Sequence, residues 1–249
     1  MSGLVCAGNG YLDLLVNSAK TGERGPFNFT KVAVDPGKPT VIDRISYMRD
    51  NFGQVLDSVA LRGTASLSLE MDDAGADALQ LMLLGTLASL SESAGSVLVG
   101  APEAVTAHLG YWAKLAHRGV ADVVVKDSTD TTTYVNGTHY ALEPVAGMIK
   151  PLVGGTIVDG ATLHVSYTYG ALSGSQIIAS TQTEVRCQFR LDGTNLANQK
   201  KVELLCYEAV LVPSGALDLI GKKYVAFSLA GSLVTPSNKT GPFEYREIN

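Results

Sequence analysis

The amino-acid sequence predicts a mainly β protein: two packed antiparallel sheets, a β-sandwich or half-barrel, with one flanking α-helix, long inter-strand loops and a β-rich insertion. Three observations lead there. Apolar and polar side chains alternate with period two in several well-separated runs, the pattern of strands with one buried face. A single run, Ala74 to Leu90, has the Ala and Leu content and apolar spacing of a helix. Between Ala121 and Tyr169, short apolar runs and Asn-Gly, Gly-Gly and Asp-Gly turn signals follow one another densely, as in a small building block set inside a larger β protein.

Residues 1 to 62 read as irregular, with Tyr11 to Val16 and Phe29 to Val34 as strands on either side of Ser18 to Pro26. A second open stretch from Asp35 to Pro39 runs into a polar segment through Arg44, Arg49, Asp50 and Gly53. Loops this long are usually functional, so they are expected to be arms reaching neighbours, with ordinary mobile loops as the alternative. The first clear strand carries Ala65, Leu67, Leu69 and Met71 between Thr64, Ser66, Ser68 and Glu70. Asp72 and Asp73 then suit the cap and positive end of the expected helix, whose stripe is Leu79, Met82, Leu83 and Leu87. Ala104 to Leu115 returns as strands and holds the single Trp112.

In the dense segment, Val123 to Val125 is a compact strand, and Tyr134 to Tyr140 brackets Asn136-Gly137, a type I′ hairpin signal. Met148 to Pro151 is a short strand, and Leu163, Val165, Tyr167 and Tyr169 alternate with Thr162, His164, Ser166 and Thr168. The large sheet resumes with Val185, Cys187, Phe189 and Leu191 between Glu184, Arg186, Gln188 and Arg190. It continues through Val202, Leu204, Cys206 and Val210, then Val225, Phe227 and Leu229. The expected division is a core in two parts, 1–118 and 175–249, around a small β-module at 119–174.

Lys and Arg number 19 against 24 Asp and Glu, a net charge of −5, which speaks against a duplex-gripping surface. Only 17% of residues are charged while 46% are hydrophobic, which fits a chain covered by copies of itself or a monomer with a large core. Cys6, Cys187 and Cys206 are odd in number without metal-ligand spacing; Cys187 and Cys206 fall on apolar strand phases and are expected as buried thiols. The start lacks a basic segment followed by a long apolar run, and no apolar stretch reaches about 18 residues, so synthesis in a cytoplasm without a membrane segment is expected.

No nucleophile elbow, phosphate loop or dinucleotide fingerprint is present in the sequence. His108 and His117 flank Trp112, His139 lies at a hairpin end and His164 on a polar strand phase, a spread that suits exposed strand histidines better than a metal site. No catalytic residue, metal or cofactor is therefore expected.

The order of strand, acidic cap and Ala/Leu helix, followed by Tyr134, Gly137, Tyr140, Gly147, Ile149 and Val165-Ser-Tyr167-Thr-Tyr169, resembles the major tail tube proteins of long-tailed bacteriophages. Phe189-x-Leu191-x-Gly193-x-Asn195, Val210 to Pro213, Val225 to Gly231 and the closing Gly241-Pro-Phe243 extend the likeness along nearly the whole chain. One departure is His139, where an acidic residue would precede Tyr140. The resemblance implies a homo-hexameric ring whose inner sheets close into a barrel, stacked into a virion tube assembled in the host cytoplasm. It also implies tape-measure, terminator and distal tail proteins as partners, and DNA passing through the lumen without specific binding. By the same likeness the stacking loop is Asp35 to Gly53, with Asp35, Lys38, Asp43, Arg44, Arg49 and Asp50, and the module decorates the outer wall. Ser68, Glu70, Glu184 and Gln188 are lumen candidates, with Arg186 and Arg190 arguing for intersubunit pairing instead.

Two other readings stay open on the residues. One is a cell-surface or carbohydrate-binding module using Trp112, Tyr134, Tyr140, Tyr167 and Tyr169 as an aromatic platform. The other is an all-β hydrolase, which would require His108, His117 and Asp122 to converge.

Overall fold

The computed structural model describes residues 3–222 and 224–248. The chain begins with β1 (Cys6–Val16), β2 (Ala19–Phe27), β3 (Phe29–Asp35), β4 (Thr40–Ile45), β5 (Val55–Leu61) and β6 (Ser66–Met71). Then come α1 (Ala76–Met82), β7 (Thr86–Glu92), β8 (Gly95–Val97), β9 (Glu103–Thr106), β10 (Ala113–Lys114), β11 (Val120–Asp127) and β12 (Thr133–Tyr134). It continues through β13 (Tyr140–Glu143), β14 (Met148–Pro151), β15 (Thr162–Tyr169) and β16 (Leu172–Ile178). The last strands are β17 (Val185–Asn195), β18 (Lys201–Pro213), β19 (Phe227–Leu233) and β20 (Phe243–Ile248). The mainly β class with antiparallel sheets and one described helix is the one expected. Two compact units result, Met1–Ala88 with Ile177–Asn249 and Ser89–Gln176, and the crossing strands β7 and β16 pair with each other. Among the described residues, no helix is long and apolar enough to cross a membrane.

The first unit is built on a sheet of order β2-β1-β17-β18-β19-β6-β3, with β20 also on β18. One edge of β18 pairs with β17 along nearly its whole length. The other edge serves two strands, β20 over residues 201–206 and β19 over 209–213. The sheet forks there and curls, so that Phe29 of β3 meets Phe189 of β17 edge to face at 5.4 Å. Gly10 of β1 makes room for this contact, since a Cβ there would collide with the Phe29 ring. Inside lie Leu12, Leu67, Leu69, Met71, Phe189, Leu211, Phe227 and Leu229, all essentially inaccessible. The alternation over 65–71 and 185–191 therefore points inward as expected, except that Gln188 is buried as well. It keeps the polar phase between Cys187 and Phe189 but lies opposite Asp13 of β1, which is buried too, so that phase is covered at this point.

The helix is shorter than its composition suggests. It ends at Met82; Leu84 takes a positive φ of 47°, the Gly85 N–H bonds to Gln80 O at 3.0 Å, and Thr86 opens β7. Strand pairing with β16 overrides helical propensity over 86–92. Neither aspartate caps the helix. Asp72 Oδ1 accepts from the Asn28 side chain at 2.6 Å, Asp73 Oδ1 accepts the Gly75 N–H at 3.0 Å, and Gly75 is the cap, without a side-chain bond. The buried face is Ala78, Leu81 and Met82; of the expected stripe Leu79, Met82, Leu83 and Leu87, only Met82 is on it.

The stretch before β6, expected to be irregular apart from strands at 11–16 and 29–34, holds those strands and more. Ser18 to Pro26 contains β2, paired with β1, and the Arg-bearing run lies in the hairpin β4–β5.

In the second unit, β12-β11-β15-β8, with β9 also on β15, faces a three-stranded sheet β10-β14-β13. Val125, Leu163, Val165 and Tyr167 from the former pack with Tyr140 and Ile149 from the latter. The unit starts at Ser89, ahead of the expected 119, because β8 and β9 divide one edge of β15 between them and β10 extends β14. Asn136-Gly137 is not a two-residue hairpin. Gly137 has φ 83° but Asn136 has no positive φ, and the flanking strands β12 and β13 belong to different sheets.

Replacing the fully buried Phe189 by Ala is expected to lower stability by about 3–5 kcal/mol, read as a reduced denaturation midpoint with unchanged far-ultraviolet dichroism. Burial pushes the Cys187 and Cys206 thiols up to about 12, whereas Cys6 is exposed. An alkylating reagent near pH 8 should therefore label Cys6 alone in the native protein and all three thiols after denaturation, counted by mass spectrometry.

Candidate assembly surface

Among the described residues the hairpin β4–β5 pairs only with itself, and every residue of both strands is exposed. Ile42 lies opposite Val59 and Thr40 opposite Leu61 on one face, while Val41, opposite Ala60, and Ile45, opposite Val55, supply the other. The end of the hairpin adds Tyr47 and Phe52, 81% and 70% exposed, with rings edge to face at 5.8 Å. A two-stranded ribbon is marginal in water, and one apolar on both faces exposes what soluble surfaces normally cover.

Local chemistry nevertheless orders this arm. At its tip the Ser46 N–H bonds to Gln54 O at 2.8 Å, and Ser46 O accepts the Gly53 N–H at 2.9 Å. Ser46 Oγ donates to Asn51 Oδ1 at 2.5 Å and accepts the Met48 N–H at 3.2 Å, so this small side chain is buried inside an exposed turn. Along the ribbon, Ser58 Oγ donates to Asp43 Oδ1 at 2.7 Å. At the base, Gly37 (φ 79°) abuts the Thr64 carbonyl and Gly63 the Lys38 carbonyl; a side chain at either place would push the two backbones apart.

Of the residues expected in the stacking loop, Asp43 and Arg44 lie on β4, Arg49 and Asp50 in the tip, and Asp35 and Lys38 at the base. The apolar residues of the ribbon are not among those the sequence pattern points to. Their period-two alternation is present in the sequence, but Arg44, Arg49, Asp50 and Gly53 between the two halves made the whole read as a polar loop.

The same unit has an open, mostly apolar groove of about 590 Å³, whose walls include Leu4, Val32, Val34, Leu191, Leu204 and Tyr245. Within its sheet, β2, β3 and β20 each pair on one side only, leaving backbone groups available to another chain. The other expected surface residues are engaged within the chain. Glu70 pairs with Lys31 at 3.0 Å. Arg186 bridges Glu184 at 2.7 Å and Glu208 at 2.8 Å. Arg190 grips Glu23 through Nε at 2.7 Å and Nη2 at 2.5 Å while lying over the Tyr11 ring, and its hydrogen bonds lower the Glu23 pKa. Ser68 sits partly buried on β6 between the inward Leu67 and Leu69.

In the second unit the expected aromatic platform does not form, because Tyr140 and Tyr167 are core residues. Tyr167 donates its hydroxyl to Glu103 Oε2, and burial together with that carboxylate raises its pKa. Tyr169 stacks on His117 at 3.7 Å, and His117 Nδ1 pairs with Glu92. Asp122 accepts the Thr168 hydroxyl at 3.2 Å. His164 is partly buried and pairs with Asp130 at 3.0 Å, so it is not a free surface histidine. Trp112 and the adjacent Tyr111 are the exposed aromatic pair.

Residues 44–243 match the family described as "Protein of unknown function UCP028589". The chain belongs to this family. The matched span takes in all of the second unit, most of the arm and the strands of the first unit from β5 to β19. This family member is also 46% identical, over 58 residues or 23% of its length, to the tail sheath protein of Burkholderia phage BcepMu. The matched stretch is 12% of that relative, so the chain spans only a small part of the curated relative's length.

Replacing Ser46 by Ala removes the hydroxyl that Met48 and Asn51 share and should cost the arm about 1–3 kcal/mol of local stability. Hydrogen exchange should quicken at Met48, Gly53 and Gln54 while protection of β17 and β18 stays unchanged.

Proposed function

We propose that the chain is a structural, non-enzymatic subunit of a phage tail that self-assembles into hexameric rings stacked as the tail tube, through which DNA reaches the host. The observation that carries this reading is the β4–β5 arm: an ordered ribbon, apolar on both faces, with no cover from the described residues of its own chain. The apolar groove and the unpaired edges of β2, β3 and β20 give the same unit surfaces for a second copy. An arm on one surface and an acceptor on another make a heterologous contact, which propagates into rings or stacks instead of closing as a dimer. The short likeness to the tail sheath protein of a phage supports a structural role in a phage tail. A net charge of −5 without a basic tract suits a conduit, since each neutralised phosphate would add affinity for the passing DNA.

Negative-stain microscopy and sedimentation of the purified chain test the proposal. Rings or tubes are expected for the natural protein. The double variant Ile42→Lys, Val59→Glu, which keeps strand length and exchanges a facing apolar pair for a charged one, should remain folded but fail to stack. A natural chain that is monomeric at all concentrations, or a variant that forms normal tubes, would overturn the assignment.

A further inference from the structure

The β10-β14-β13 sheet of the second unit turns Ile149 into the core, and that fixes what its other face presents. Lys114 lies opposite Met148, Lys150 opposite Ala141, and Glu143 opposite Met148, so these five share the face away from Ile149. Trp112, two residues before Lys114, continues the face: the residue is 45% exposed and Lys150 Nζ stands 5.0 Å from the ring centroid. Tyr111 beside it is 73% exposed. Two backbone N–H groups hold the loop that carries the pair, Leu109 donating to the Asp159 side-chain Oδ1 at 2.9 Å and Gly110 to Pro151 O at 2.8 Å. Neither Lys114 nor Lys150 has a carboxylate partner among the described residues.

We propose that this face, centred on Trp112, Lys114 and Lys150, binds an anionic glycan. A pyranose ring lays its C–H face on an indole, and the two ammonium groups meet a carboxylate or phosphate on the same or the next sugar. Glu143 at the far side of the face accepts hydrogen bonds from sugar hydroxyls. The lysines disfavour a cationic ligand, and the charge distribution disfavours a nucleic acid. Lys114, Arg118, Lys126 and Lys150 are the only Lys and Arg residues of the unit, against Glu92, Glu103, Asp122, Asp127, Asp130, Glu143 and Asp159. A strand of nucleic acid needs a longer track of cations and stacked aromatics than this. The inference does not depend on tube assembly, because it concerns the second unit alone.

The test is binding of the full chain, by glycan array and then calorimetry, to polygalacturonate, a phosphomannan, neutral dextran and oligo(dT). Binding to at least one anionic glycan and not to dextran is expected, weakening as salt is raised. The polygalacturonate and phosphomannan arms distinguish the carboxylate from the phosphate source. Trp112→Ala and, separately, Lys114→Gln with Lys150→Gln should each weaken binding at least tenfold; the second variant keeps both aromatic side chains and changes no buried residue, and so guards against misfolding. Unaltered tube formation by these variants in microscopy separates this site from the assembly surface. Binding to no probe, equal binding to dextran or oligo(dT), unchanged affinity in both variants, or loss of assembly in the lysine variant would overturn the proposal.

Discussion

The first unit depends on one strand that changes partners. β18 keeps β17 on one edge and divides the other between β20 and β19, so a single sheet is forced to fork and curl. Curling brings β3 over β1 and β17, where Phe29 meets Phe189 above the space left by Gly10. Everything apolar on the inward phases of β6, β17, β18 and β19 is then spent on one core. Gly231 shows how tight this arrangement is, since a Cβ there would run into the Val210 carbonyl across the β18–β19 ladder.

A core completed this way leaves the arm with nothing of its own to cover it. The arm is rigid for local reasons, through the Ser46 turn, the Asp43–Ser58 contact and the close backbones at Gly37 and Gly63, and it is apolar for a reason no local contact supplies. Charged side chains of the curled sheet are meanwhile satisfied inside the chain, as in Arg190 with Glu23 and Arg186 with Glu184 and Glu208. What the arm offers to a neighbour is apolar area together with exposed charges such as Arg44 and Arg49. The second unit behaves in the opposite way, with its tyrosines and Glu103 bound up inside and its lysines left outside around Trp112.

Legibility in the sequence followed the length and regularity of each run. The strands at 65–71, 162–169 and 185–191 were readable because alternation over six or more residues reports a half-buried face whatever the partner. The helix was overextended, because Ala and Leu in 83–90 have the right propensity while the strand partner β16 lies far along the chain. Gln188 keeps its polar phase but is buried opposite Asp13 of β1, a partner too distant along the chain to show in the local pattern. The arm region was singled out, but as a loop, since the polar tip residues masked two short apolar alternations on either side of it.

The sequence by itself determined the β class, the inward phases of the long strands, the two buried cysteines and the absence of a basic tract, because each depends on local pattern or on composition. Only the tertiary structure decided where the second unit begins, which tyrosines are core and which aromatics stay exposed, how the sheet forks, and that the arm has no cover. Those depend on pairing between residues distant along the chain, and a pairing partner leaves no trace in the local pattern of either strand.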